Sequence, residues 1–335
     1  MNKISLYFTL SLLFGVFCFA SAQEKPSIRN VDRIRLSEAF KIGENLGDQI
    51  WKNWTKAPFA VLLVTPENEF LIRHPEPSKD FALIGYDKLL KSAVYWRKRT
   101  QNPQLLATFP LEGVPTIIIG QAENTEAKTS TPWVVTVLHE HFHQLQYSQP
   151  NYYRDVSALN LSGSDQTGMW MLNYAFPYRD AKVKQQFESL SRQLADILQT
   201  KNKADFKTKL AVYLDARRQL QKTLGADDDK YFSFQLWQEG IARYTEYQVA
   251  LLAAKKHRPS REFRTLKDFK SFQTVADELL NSILKELAAL DLSASERVAF
   301  YPLGAGEAVM LDRINPTWKD SYFEDKFFLE KYFEK

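Results

Sequence analysis

Apolar residues recur near helical spacing over residues about 34 to 55, where Phe40, Ile42, Leu46, Ile50 and Trp54 mark one face, which predicts an opening helix. The short apolar run 59–64, the turn residues Thr65-Pro66-Glu67-Asn68 and the run 70–72 predict strand, turn and strand. Residues 116–119 predict a further strand, closed by Gly120. From Pro132 the period changes. Residues 133–147 predict a helix, with Pro132 at its first position and Thr131 as its cap. Long helical segments follow at about 183–223, 232–256 and 266–290, and a last pair at about 293–313 and 319–333.

No internal repeat, low-complexity tract or linker interrupts these elements. They predict an α+β fold: a small β-sheet with an N-terminal helix, packed beside a largely helical half and sharing a cleft with it. The layout is a leader at 1–22, a mixed part at 23–130 with an edge strand for substrate, and a mainly helical part at 131–335.

The N-terminus changes the picture first. Lys3 supplies a positive region, residues 6–19 are an apolar stretch, and Ala20-Ser21-Ala22 offers a small-x-small cleavage site before Gln23. That is the pattern of a secretory signal peptide, too short and wrongly flanked for a membrane span. The mature chain is expected to begin near Gln23, in the periplasm or outside the cell, with no stable membrane span. Phe17 stands before Cys18 where a lipid anchor needs a small residue.

Cys18 is the one cysteine in the sequence and lies inside the leader. The mature chain therefore excludes disulfides, a cysteine nucleophile and a zinc-thiolate site. Its stability has to come from packing, to which an aromatic content of 13% contributes large surfaces. The net charge of +4 is spread without a basic run, so nucleic acid is not an expected partner.

The chemistry concentrates in His139-Glu140-His141-Phe142-His143, which holds three of the five histidines. On a helix, His139 and His143 lie one turn apart on one face and can share a zinc ion. Glu140 beside them can take a proton from a water on that metal. His141 points away from this face and reads as a helix-surface or core-edge residue. A catalytic zinc keeps three protein ligands, and without cysteine the third must be His, Asp or Glu. His74 and His257 are isolated. Glu239 is the better candidate, because it lies among Trp237, Ile241, Ala242 and Tyr244, where an interior carboxylate is costly unless paired or metal-bound.

The pattern H-E-x-x-H-Q, followed by Glu239-Gly240-x-Ala242-x-Tyr244-x-Glu246, resembles the gluzincin metallopeptidases, in particular the aminopeptidase N group. The resemblance implies a zincin-like fold and Glu239 as the third zinc ligand. It places Glu246, two turns on, behind the ligands with Arg243 and Tyr244. Tyr301-Pro302-Leu303-Gly304 is similar to the family's Tyr-x-x-Gly segment, which implies that the Tyr301 hydroxyl stabilises the tetrahedral intermediate. Gly120-Gln121-Ala122-Glu123-Asn124 is similar to its Gly-x-Met-Glu-Asn segment without the methionine, which implies that Glu123 binds a substrate amine. Two departures stand out. Between His143 and Glu239 lie 95 residues, far more than the family's spacer, and Trp237 is one position closer to the glutamate than in the family.

Three functions remain open at this stage. One is an exported zinc peptidase acting on peptides or proteins. The second is a zinc hydrolase of a non-peptide bond, and the third a non-catalytic cell-envelope binding protein on the same scaffold. An intact Glu140 argues against the last.

Overall fold

The opening helical pattern folds as α1 (Asn30–Ile50), which starts and stops earlier than its spacing predicts. Trp54, expected on the helix, sits in a separate 3₁₀ turn (Trp54–Lys56) after the left-handed Asn53. The computed structural model describes residues 25–333, so the expected leader and Cys18 lie outside the described residues. Among the described residues no helix is long and apolar enough to cross a membrane.

The two predicted strands form the hairpin β1 (Ala60–Val64) and β2 (Asn68–Ile72). Its turn is held by Thr65 Oγ1, which donates to the Asn68 carbonyl at 2.8 Å. Three strands were missed: β3 (Ala82–Asp87), β4 (Ser92–Lys98) and β5 (Leu106–Leu111). The predicted strand near 116 is β6 (Val114–Gly120). The sheet runs β3-β4-β2-β1-β6-β5, with β1 and β6 parallel and the remaining neighbours antiparallel.

This order corrects the expected edge. The strand at 116–119 is interior, because its three consecutive isoleucines are buried on both faces of the sheet. β5 forms the edge and carries Pro110, which tolerates that position because an edge strand can spare a ladder donor. The strand period of two sends Val61, Leu63, Phe70, Ile72, Ile117 and Ile119 to the face covered by helices. Leu62, Val64, Leu71 and Ile118 go to the other face, beneath Phe81.

Helix α2 (Ser130–Tyr147) crosses the first face against β5 and β6 and also packs on α1. Its start differs from the expected cap. Thr131 is inside the helix, and its hydroxyl donates to the Lys270 carbonyl at 2.7 Å. The exposed amides are met instead by Asp268, whose carboxylate accepts from Ser130 N at 2.9 Å and Ser130 Oγ at 2.6 Å.

Short helices α3 (Tyr152–Ser157) and α4 (Trp170–Asn173) follow. The segment expected as one helix from 183 breaks into α5 (Ala181–Gln199) and α6 (Lys203–Leu224). Asn202 makes the break, since its side chain accepts from Ala204 N and Asp205 N and starts a new helix. Next come α7 (Ala226–Gln235), a π turn (Leu236–Gly240) and α8 (Ile241–Lys256) in one run. Then come α9 (Arg261–Arg264), α10 (Phe272–Ala288), α11 (Leu292–Ser295) and α12 (Phe300–Ile314).

Residues 319–333, expected as a helix, form only 3₁₀ turns at Trp318–Asp320 and Leu329–Tyr332. Their aromatic residues fill space instead. Tyr322 stacks on Trp237 with ring centroids 4.7 Å apart, and Trp318 meets Trp51 edge-on at 5.6 Å. Trp51, Trp54, Trp133, Trp237 and Trp318 are fully buried, so the core rests on large rings. The fold is mixed α/β and 58% helical.

Candidate metal centre

Two elements meet over the helical face of the sheet. Helix α2 presents His139 and His143 one turn apart, and the π turn presents Glu239. A π turn adds a residue to the helical register and redirects the side chains next to it, which is why such turns recur at functional sites. His139 Nε2 and His143 Nε2 lie 3.2 Å apart, and Glu239 Oε2 lies 3.6 Å from His143 Nε2. One ligand atom from each of the three residues falls within 4.8 Å of the other two. This group could hold a metal ion.

The outer atoms of the ligands fix which lone pairs converge. His143 Nδ1 lies 2.7 Å from Gln146 Oε1 and 3.1 Å from the Gln238 amide nitrogen, which together fix the ring's orientation. The Gln146 amide nitrogen is anchored in turn on the Trp237 and Gln238 carbonyls and on the Tyr322 hydroxyl. His139 Nδ1 lies 2.8 Å from Glu246 Oε1. The two Nε2 atoms face one centre, where two lone pairs would repel unless a cation or a proton sits between them. Four atoms around a tetrahedral zinc at about 2.0–2.1 Å would lie roughly 3.3–3.4 Å apart, which the observed 3.2 and 3.6 Å bracket.

Electrostatics agree with the geometry. Burial disfavours the imidazolium of His143, yet Glu239 beside it holds the group above its ordinary range. Burial likewise pushes Glu239 up, and His143 and Arg297 outweigh it and hold the carboxyl below its usual value. Without a cation, a proton is the occupant this pair favours.

Glu140 Oε1 stands 4.0 Å from His139 Nε2. Its other oxygen is 2.8 Å from Thr108 Oγ1, which also reaches the Glu140 carbonyl at 3.0 Å. Thr108 belongs to β5, so the edge strand touches the proposed base directly. No local pattern in residues 106–111 marks this contact, which depends on the pairing of β5 with β6.

Glu246 is fixed by His139 and by Arg243 Nη1 at 2.8 Å, and Arg243 also meets Glu286. A carboxylate behind a ligating histidine sets its tautomer and raises its basicity. Glu246→Gln is therefore expected to weaken metal binding by roughly 10–100-fold while the fold persists. Competition against a chelator of known affinity measures this, and unchanged affinity would remove Glu246 from the site. Tyr244, expected in the same environment, is placed elsewhere. Its hydroxyl bonds both Asp312 oxygens at 2.8 and 2.9 Å, so it ties α8 to α12.

Tyr301 reaches the site through two glycines. A Cβ on Gly304 would sit 2.7 Å from Gly240 Cα and from the Leu236 carbonyl oxygen, so α12 can cross the π turn this closely only without side chains there. One turn before that crossing, Tyr301 bonds Glu239 and accepts from Arg297 Nη1 at 2.9 Å. Gly304→Ala is expected to destabilise the chain by about 1–3 kcal/mol through overpacking and to displace Tyr301. Denaturant unfolding of the purified variant tests this. Wild-type stability would mean that the crossing can open without cost.

Glu123 is not brought to this group. It lies in the 3₁₀ turn after β6, where Arg29 and Arg35 hold it in a network with Asp32 and Asp268 at the start of α1 and α2. His141 is a correction of a different kind. It is 2% exposed rather than at the surface, stacked on Phe59 with centroids 3.7 Å apart and bonded through Nδ1 to Gln144. Burial pushes its pKa down to about 3, so it packs as a neutral ring. Arg297 was missed by sequence reasoning altogether. Nothing in its local pattern marks it, and the crossing of α12 over the π turn is what brings it to Glu239.

Comparison of the chain with known protein families, curated proteins and solved structures found no significant match.

Proposed function

We propose that this chain is an exported, zinc-dependent hydrolase of peptide bonds, with His139, His143 and Glu239 as ligands and Glu140 as general base. The observation that carries the reading is the convergence of two buried Nε2 atoms and one carboxylate, with Glu140 beside them. A zinc ion bound there would polarise a substrate carbonyl and acidify a water. Glu140 is placed to accept a proton from water and to pass it to the leaving amine if zinc is bound, with Thr108 holding its other oxygen in place. The Tyr301 hydroxyl accepts a hydrogen bond from Arg297, and the proton it gives to Glu239 in the metal-free site would turn to the developing oxyanion.

The peptide reading draws support from β5. An edge strand has unpaired backbone groups on its outer side, to which an extended substrate can add. The resemblance to gluzincins and the leader at residues 1–22 support the subclass and the export. The test is a peptide-library digest with the zinc-loaded mature chain beside Glu140→Gln. Cleavage by the first and not by the second is expected. Equal cleavage by both, or none by either, would overturn the reading.

A further inference from the structure

The cleft holds a cation whose partner would be claimed by the metal. Arg243 is matched by Glu246 and Glu286, at 2.8 and 3.4 Å. Arg297 has no such match. Its side chain is 24% exposed, and the carboxylate it meets is Glu239 Oε1, at 3.6 Å. A guanidinium carries five N–H donors, of which one goes to Tyr301 here. Glu239 turns one oxygen to His143 and the other to Arg297, so its carboxylate lies between the proposed cation and the guanidinium. A metal on Glu239 would then leave two positive centres facing the cleft, with Glu140 as the opposing charge.

We propose that Arg297 binds the terminal carboxylate of the substrate, so that the site cleaves the last peptide bond of a short peptide or an acylated amino acid. This rests on the zinc-hydrolase reading above and specifies its substrate. In such a substrate the free carboxylate lies three bonds beyond the scissile carbonyl carbon, at most about 3.7 Å away. Hydrolysis adds a hydroxyl to the carbonyl carbon and a proton to the departing nitrogen, and no other reactant is needed. The partly exposed rings of Tyr147 and Tyr178 flank the site and suit an apolar side chain next to the carboxylate. Recognition of a free amine lacks an equivalent receptor, since Glu123 is neutralised by Arg29 and Arg35.

The test compares end-blocked peptides that carry a free C-terminal carboxylate with the same peptides as C-terminal amides. Wild type is expected to favour the free acid by about 10–100-fold in kcat/KM, through a charge-assisted pair. In Arg297→Gln the ratio should collapse to near one, and Arg297→Lys should restore part of it as a point charge. A merely structural role would lower both substrates together and keep the ratio. A second readout does not depend on turnover. N-acetyl-diphenylalanine, and not its amide, should bind zinc-loaded Glu140→Gln in a calorimeter and lose that binding when Arg297→Gln is added.

Equal rates on acid and amide in wild type, or an acid preference that survives in Arg297→Gln, would overturn the proposal. Should no peptide be cleaved while the acid still binds through Arg297, the peptidase reading fails and the carboxylate receptor stands.

Discussion

Replacing Glu140 by Gln is expected to lower turnover at least about a hundredfold and to leave the metal in place, the largest catalytic loss any single change here should give. The amide keeps the size and planarity of the carboxylate and can still meet Thr108, now 2.8 Å from Oε2. What it cannot do is accept a proton from water. Glu140 is 4% exposed and its Oε1 stands 4.0 Å from His139 Nε2, so it is close to the proposed cation without being one of the three converging ligands. Steady-state rates on a cleaved peptide, with zinc measured on the same sample, check both halves. Near-normal turnover would mean that another group takes the proton. Loss of zinc would mean that Glu140 binds metal rather than water.

The second large effect belongs to Glu239. Its removal in Glu239→Ala leaves two imidazoles, and the loss in metal affinity should exceed the roughly 10–100-fold typical of groups that only orient ligands. The change also acts on His143. Glu239 is what holds the buried imidazolium above its ordinary range, and the metal must displace that proton to bind. In wild type, affinity should therefore rise with pH through neutrality. In Glu239→Ala the slope should flatten, because burial then disfavours the charged ring and no proton needs displacing. Chelator competition at several pH values measures both. Wild-type affinity in the variant would show that the third ligand is another residue.

Much of this site could be read from the chain because its parts are local. His139, Glu140 and His143 need only one helical turn to share a face, and the sequence predicts that helix to within a few residues. Glu239 and Glu246 were found as one segment, although the pattern hides that Glu239 sits on a π turn while Glu246 lies on the α-helix that follows. That change of register sends Glu239 to His143 and Glu246 to His139. Tyr301 was visible as a motif, but its route to Glu239 depends on two glycines 64 positions apart in the numbering, Gly240 and Gly304.

What stayed hidden was set by pairing across distance. β5 is a short run, Leu106 to Leu111, without alternation and interrupted by Pro110, and only its bonds to β6 make it a strand. Glu123 looked like a receptor because its neighbours in sequence fit a motif, whereas its neighbours in space are two arginines. The C-terminal residues 319–333 carry enough aromatic rings to mimic a helical face, yet those rings are used to cover Trp51 and Trp237. Asn202 begins α6 through its side chain just after Thr200 closes α5, a local signal that the long apolar period concealed.

The most direct measurement is an anomalous-scattering map at the zinc absorption edge from a crystal of the zinc-loaded chain. One peak is expected, about 2.0–2.2 Å from His139 Nε2, His143 Nε2 and a Glu239 oxygen, with a fourth position open toward Glu140. A peak ligated by other residues, or no peak while the three side chains keep their places, would contradict the metal centre.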